Sequence, residues 1–185
     1  NRIHIWLEAG AHVVHYPVRG GKERALIAIF SDNAPSETWS TDANSIEVAA
    51  RIGSFAGPLQ NLMRAANAWR KWSLYECPVP PHLAKGAIAL LGDAAHPVLP
   101  FLAQGAVLAL EDACTIAATI AMTPGNIPSA LMRYESDRLA RVKRVQAASR
   151  RNGQIYHMSG IMAAARNGVL RALPAERVMT GYDWL

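Results

Sequence analysis

Cysteine is almost missing from this chain of 185 residues. Cys77 and Cys114 stand isolated, which excludes a disulfide framework and a zinc site and fits a reducing, cytoplasmic compartment. No group of His, Cys, Asp and Glu shows ligand spacing, so no metal is expected, and no Ser-His-Asp constellation stands out. Uncharged apolar runs of about 18 residues, the length of a membrane span, are also missing. The most apolar stretch, Gly105 to Met122, carries Glu111 and Asp112 in its middle, so no membrane partner is expected. No secretory leader, internal repeat or low-complexity segment is visible in these residues. An initiator Met is absent too, and the opening Asn1-Arg2-Ile3-His4-Ile5 has a strand pattern, so the chain reads as part of a longer parent.

What is present suits a folded body with a sizeable core: 51% hydrophobic residues against 18% charged, with a net charge of +5. Much of the basic excess is Arg133, Arg138, Arg141, Lys143, Arg144, Arg150 and Arg151. Glu135 and Asp137 are interleaved and no nucleic-acid motif accompanies the run. It reads as a solvated helix face, with no nucleic-acid partner expected.

Residues 2–7 alternate, His12 to Val18 forms a second strand, and Gly20-Gly21 turns the chain into a third, Glu23 to Phe30. The polar stretch Ser31 to Asn44 reads as loop. Ser45 is placed to cap a helix to about Phe55, and Gly57-Pro58 opens another to about Asn67. Trp69 to Tyr75 reads as an edge strand, and Cys77 to Pro81 as a connector. After Thr123-Pro124-Gly125-Asn126, a helix from Pro128 to about Asn152 carries the apolar stripe Leu131, Tyr134, Leu139, Val142 and Val145, with a break at Gly153. Met158 to Leu170 is a final helix and Pro174 begins a tail. His12 and His15, three residues apart on one strand, point to opposite faces.

The organising stretch is Gly86 to Ala113. Ala87 to Leu91 is a continuous apolar run, expected as a strand covered on both faces. Gly92 and Asp93 end it, Pro97 and Pro100 hold the next segment out of helix, and a helix begins near Gln104. Free N–H groups at its start suit an electron-rich ligand, and Asp93 suits a ligand hydroxyl. Glu111 and Asp112 point about 100° apart. They cannot converge on one substrate atom and are expected to bond to neighbouring elements.

Gly92-Asp93-Ala94-Ala95-His96-Pro97, Pro100-Phe101-Leu102-Ala103-Gln104-Gly105 and Glu111-Asp112-Ala113 together resemble the second FAD fingerprint of the flavin-dependent aromatic hydroxylases, the salicylate hydroxylase type of single-component monooxygenase. Gly10 to Val18, Tyr134-Glu135, Ser149 to Gly153 and Tyr156-His157 extend the resemblance over essentially the whole chain. The family's opening GxGxxG unit has no counterpart. The resemblance therefore implies an α+β fold, a fragment of an α/β FAD-binding fold. Its expected parts are an antiparallel substrate-domain sheet (1–81), one buried FAD-domain strand with its loop and helix (82–123), and C-terminal helices (124–185).

The reaction implied is hydroxylation of an aromatic acid or phenol by O2, with FAD as cofactor and NADH or NADPH as electron donor. By pattern alone His15 is a half-buried strand residue; the resemblance makes it the candidate general base, with His12 the nearby competitor, at most one of the two facing the pocket, and Tyr16 and Pro97 beside the substrate. Asp93, on Gly92, would bind the ribityl chain or merely cap the turn. Gln104 would lie at the substrate–flavin junction or be a plain helix-end residue. Gly105 and Ala106 would offer N–H groups to the reduced flavin, and Pro97 and Pro100 would wall the pocket or stiffen the loop. His96, followed by Pro97 in the fingerprint, reads as structural and flavin-adjacent. Where the family often has Asp-Arg, this chain has Glu76-Cys77, which removes a fixed cation. The alternative is a flavin-free, inactive fragment that self-associates as a homodimer.

Overall fold

The computed structural model describes residues 2–32, 38–53, 55–66 and 68–185. The chain divides into two compact units, Asn1–Ser73 with Gln154–Trp184, and Leu74–Gly153 with Leu185.

In the first unit, alternating sequences fold into three antiparallel strands, β1 (His4–Glu8), β2 (Ala11–Val18) and β3 (Glu23–Phe30), in the order β1-β2-β3. The β2–β3 turn uses Gly20 and Gly21 at φ 68° and 88°, a region that glycine enters without steric cost. Helices α1 (Ser45–Ile52) and α2 (Gly57–Arg64) supply the apolar partners. Ala11 and Val13 from β2 form one core with Ile52, Phe55, Leu59 and Met63. Leu59 and Met63 are fully buried, and each contributes about 1.5–3 kcal/mol by leaving water.

Several boundaries differ from expectation. Asn44, not Ser45, caps α1: its side chain accepts the Ile46 N–H at 2.8 Å. The helix ends at Ile52 rather than Phe55, and α2 ends at Arg64, the expected end at Asn67 lying outside the described residues. Part of the expected 31–44 loop is strand. β4 (Ser40–Ala43) pairs antiparallel with β5 (Trp69–Trp72), which stops short of Tyr75; residues 33–37 lie outside the described set. This pairing brings together residues distant in sequence, so local pattern does not reveal it.

The second unit holds β6 (Ala84–Lys85) and β7 (Ile88–Ala89), α3 (Gly105–Met122) and most of α4 (Ile127–Tyr156). The expected buried strand over Ala87 to Leu91 is corrected: only Ile88–Ala89 is strand, in a hairpin with β6. Ile88 is 74% exposed and Leu91 43%. A doubly covered strand needs neighbours at both edges and on both faces, and among the described residues β7 pairs with β6 alone. α3 likewise leaves Leu110 and Met122 open to solvent. By length and composition α3 could cross a membrane, but Asp112 in its middle is buried and bonded to Arg138 of α4.

On α4 the expected stripe packs inward. Leu131, Tyr134, Val142 and Val145 are buried, Leu139 is half-buried, and Tyr134 donates to the Leu90 carbonyl at 2.9 Å. Glu135 accepts the N–H groups of Leu83 and Ala84, fixing β6 to the helix, and these bonds with His82 hold its carboxyl below the usual range. The expected break at Gly153 is absent, because α4 runs on to Tyr156. From Gln154 the chain belongs to the first unit, where α5 (Gly160–Ala172) follows. The expected tail after Pro174 contains a further short helix, α6 (Ala175–Thr180).

Candidate functional site

In the second unit the chain leaves β7 into a turn of 3-10 helix at Gly92–Ala94. Gly92 is buried at φ 57°, and a Cβ there would touch Ala109 of α3 at 3.4 Å. This glycine therefore serves both the left-handed turn and the close approach of turn to helix. The N–H groups of Ala95 and His96 both close on the Gly92 carbonyl at 2.9 Å. Asp93 sits at the crest with its side chain exposed.

Below the turn lies Asp112, fully buried on α3. Its Oδ2 accepts the Gly92 N–H at 2.9 Å and His96 Nε2 at 2.6 Å, and its Oδ1 accepts Arg138 Nε at 2.7 Å. A carboxylate only accepts, so His96 carries its proton on Nε2 toward Asp112. Arg138 also pairs with Glu111 at 2.7 Å, and Arg141 reaches Glu111 at 2.8 Å. Arg141 and then Arg138 hold the Glu111 carboxyl below its ordinary range.

The following loop is clamped by polar residues along α4. Gln146 donates to the Pro97 carbonyl at 3.1 Å, Ser149 to Leu99 at 2.6 Å and Asn152 to Phe101 at 3.3 Å. The loop ends in a 3-10 turn at Pro100–Leu102, and Ala103 takes φ 53° before α3 starts. Gln104 stands at the N-cap but makes no side-chain cap bond, so it gives the first-turn N–H groups of α3 no side-chain acceptor. Gly92, Asp93, Pro97, Pro100, Gln104, Gly105 and Ala106 thus all belong to one turn-loop-helix segment of this unit. Glu76, at the departure from the family pattern, pairs with Arg150 at 2.6 Å, and exposed Cys77 gives its carbonyl to Gln146.

His15 and Tyr16 belong to the first unit. β2 pairs His15 with His4 and Leu26, and His12 with Leu7 and Ile29, so the two histidines do take opposite faces. His15 shares its face with Ala11 and Val13, is 7% exposed, and stacks on His4 with ring centroids 4.7 Å apart. Burial, then the charges of His4 and Arg24, lower its pKa. Its Nδ1 is buried and has no hydrogen-bond partner among the described residues. On the other face His12 Nδ1 meets His157 Nε2 at 2.7 Å, and His157 Nδ1 meets Ser31 Oγ at 3.0 Å. Burial and His157 push His12 down to about 4.

A family model described as the FAD binding domain matches residues 2–149. The chain belongs to this FAD-binding domain family. A 3-hydroxybenzoate 6-hydroxylase of Polaromonas naphthalenivorans is 30% identical over all of this chain and 46% of its own length. Among solved structures, a salicylate hydroxylase in a substrate complex superposes with a TM-score of 0.80 at 29% identity, over 92% of this chain and 45% of its own. Klebsiella pneumoniae HpxO complexed with FAD and uric acid gives a TM-score of 0.80 at 26% identity, over 97% and 46%. The chain spans about half the length of the relatives it matches.

The FAD-binding family residues present fit a flavin. A left-handed turn at Gly92, an exposed carboxylate on Asp93 and a helix start that Gln104 leaves uncapped are groups of the kind that hydroxyl- and anion-bearing ligands use. The reading of Arg138 as part of a solvated face is corrected, since it is buried against Asp112, and the Gln146–Ser149–Asn152 clamp went unread. Their signal was there: Arg138 falls midway between Tyr134 and Val142 on the apolar stripe, where a solvated cation has no place.

Proposed function

We propose that the chain works within an FAD-dependent monooxygenase that hydroxylates a hydroxylated aromatic acid or phenol, with NADH or NADPH and O2. The observation that carries this is the Gly92–Asp93 turn held against α3 at Ala109 and Asp112, on a helix whose first turn Gln104 leaves without a side-chain cap. The names of its relatives, 3-hydroxybenzoate 6-hydroxylase and salicylate hydroxylase, support the substrate class.

Bound FAD supplies the redox chemistry and the activation of O2. Asp93 accepts hydrogen bonds from the cofactor's polyol chain. The N–H groups of Gly105 and Ala106, at the positive end of α3, stabilise negative charge on the flavin ring. Gln104 hydrogen-bonds where ring and substrate meet, and Pro97 and Pro100 wall that space. On β2, His15 is the base for the substrate hydroxyl, and Tyr16, the next residue, points to the opposite face of the strand. A phenol reaching Nδ1 would give that atom the partner it lacks. Its lowered pKa keeps it neutral, and so able to accept, near pH 7.

The test is an FAD titration of the purified chain followed by gel filtration. Co-eluting flavin with quenched fluorescence supports the reading. A folded chain that retains no flavin points to the second reading, a self-associating, flavin-free fragment. The exposed Ile88, Leu110 and Met122 favour that outcome.

A further inference from the structure

We infer that Asp112 is a positioning residue: its Oδ2 sets the conformation of the Gly92–His96 turn and thereby aims Asp93 at the flavin's polyol chain. The inference rests on the FAD reading above and adds the group that shapes the site. Asp112 divides its two oxygens between two tasks. Oδ2 takes both N–H donors that flank the turn, Gly92 N–H at 2.9 Å where the chain enters and His96 Nε2 at 2.6 Å where it leaves. Oδ1 takes Arg138 Nε at 2.7 Å, and Arg138 also donates to the Leu108 carbonyl at 3.3 Å, locking the carboxylate to α3 and α4.

Asp93 itself touches nothing in this network, so its aim depends on backbone held from below. The buried ion pair is not needed for this purpose as a charge. Replacing such a pair by neutral groups is often tolerated, whereas breaking one side is not. What the turn requires is one acceptor oxygen at the Oδ2 position. Asparagine cannot serve both sides at once: with one oxygen, it must aim an N–H either at Arg138 or at the turn donors. Removing Arg138 frees it to present its oxygen to the turn.

Two double variants separate positioning from charge balance, Asp112→Asn/Arg138→Met and Asp112→Ala/Arg138→Met. Both remove the buried charges, and only the first keeps an oxygen for the turn. Amide hydrogen exchange at Gly92 and FAD affinity by fluorescence quenching are the readouts, with thermal melts confirming that each is folded. Gly92 is expected to exchange at least ten-fold faster in the alanine double than in the asparagine double, and FAD to bind at least ten-fold more weakly. Equal exchange at Gly92 in the two doubles would overturn the inference. So would equal FAD affinity in two doubles that both bind it. If neither they nor the wild-type chain retain FAD while the exchange contrast holds, the FAD reading fails and the role of Oδ2 in shaping the turn is supported.

Discussion

Phe101 fills the space that a side chain on Gly153 would need: a Cβ built there lies 2.5 Å from the Phe101 Cε2. Glycine in a helix interior ordinarily weakens it, yet here it lets α4 close on the Pro97–Phe101 loop, where Asn152 bonds the Phe101 carbonyl. Gly153→Ala is therefore expected to destabilise by about 1–3 kcal/mol despite alanine's better helix propensity. Urea melts measure this, and Phe101→Leu should recover part of the loss. A gain in stability for Gly153→Ala would show that the loop yields freely.

Burial of His12, with His157 beside it, makes stability depend on pH. His12 is lowered to about 4 in the fold, against about 6.5 when unfolded. Below pH 6.5 the unfolded chain binds a proton that the folded chain refuses. The stabilisation is thus complete above about 6.5 and is lost as pH falls toward 4, by an amount on the order of 3 kcal/mol. Burial lowers His157 as well, which adds in the same direction. Urea midpoints between pH 7.5 and 4 should fall steeply, and His12→Asn should flatten the curve. An unchanged slope in that variant would assign the titration elsewhere.

The sequence made some of this legible and hid the rest for physical reasons. The β1–β2–β3 meander shows in its alternation and paired glycines, and the opposite facing of His12 and His15 follows from the strand period. The turn, the loop and α3 show in Gly92, the prolines and the run from Gln104. The helix break assigned to Gly153 failed because a glycine reads alike whether it ends a helix or receives a ring. β4 escaped because Ser40–Ala43 has little apolar pattern and owes its strand state to Trp69–Trp72. The Ala87–Leu91 run is apolar enough for a buried strand, but burial depends on neighbours, and the described chain supplies only β6.

Asp93 offers the sharpest separation of binding from stability. Its side chain is exposed, and the turn's own bonds run through Gly92, His96 and Asp112. Asp93→Ala is expected to leave the thermal midpoint within about a degree, because surface changes cost little. FAD affinity should drop by about ten-fold or more, the loss of charge-assisted hydrogen bonds to ligand hydroxyls. Differential scanning fluorimetry and flavin titration on one sample test both halves. Undiminished affinity would remove Asp93 from the cofactor site.

Arg166 gives a test of how the end of α4 is held. It is buried, and its Nη1 donates at 2.9 and 2.8 Å to the carbonyls of Ile155 and Tyr156 at the end of α4, the first of which also accepts the Met158 N–H at 3.4 Å. Arg166→Met keeps much of the packing and removes the donors, so it should cost about 1–3 kcal/mol. Exchange at the following residues, including Met158, should rise in that variant. A stability equal to wild type would mean that water caps the helix equally well.

His15 carries the catalytic prediction. A base works only in its neutral form, and burial with His4 and Arg24 lowers its pKa from the ordinary value near 6.5. In a preparation that turns over salicylate or 3-hydroxybenzoate with FAD and NADH or NADPH, kcat/KM should be flat above neutrality. It should then fall on an acidic limb whose midpoint lies below 6.5. His15→Gln keeps a hydrogen-bonding group of similar reach but cannot accept a full proton. It should lower kcat by about 100-fold or more and abolish the acidic limb. Raising the pH should then restore part of the rate, because hydroxide and solvent increasingly ionise the phenol without help. A variant that keeps the limb would place the proton acceptor on another residue, and one that changes KM alone would make His15 a binding group.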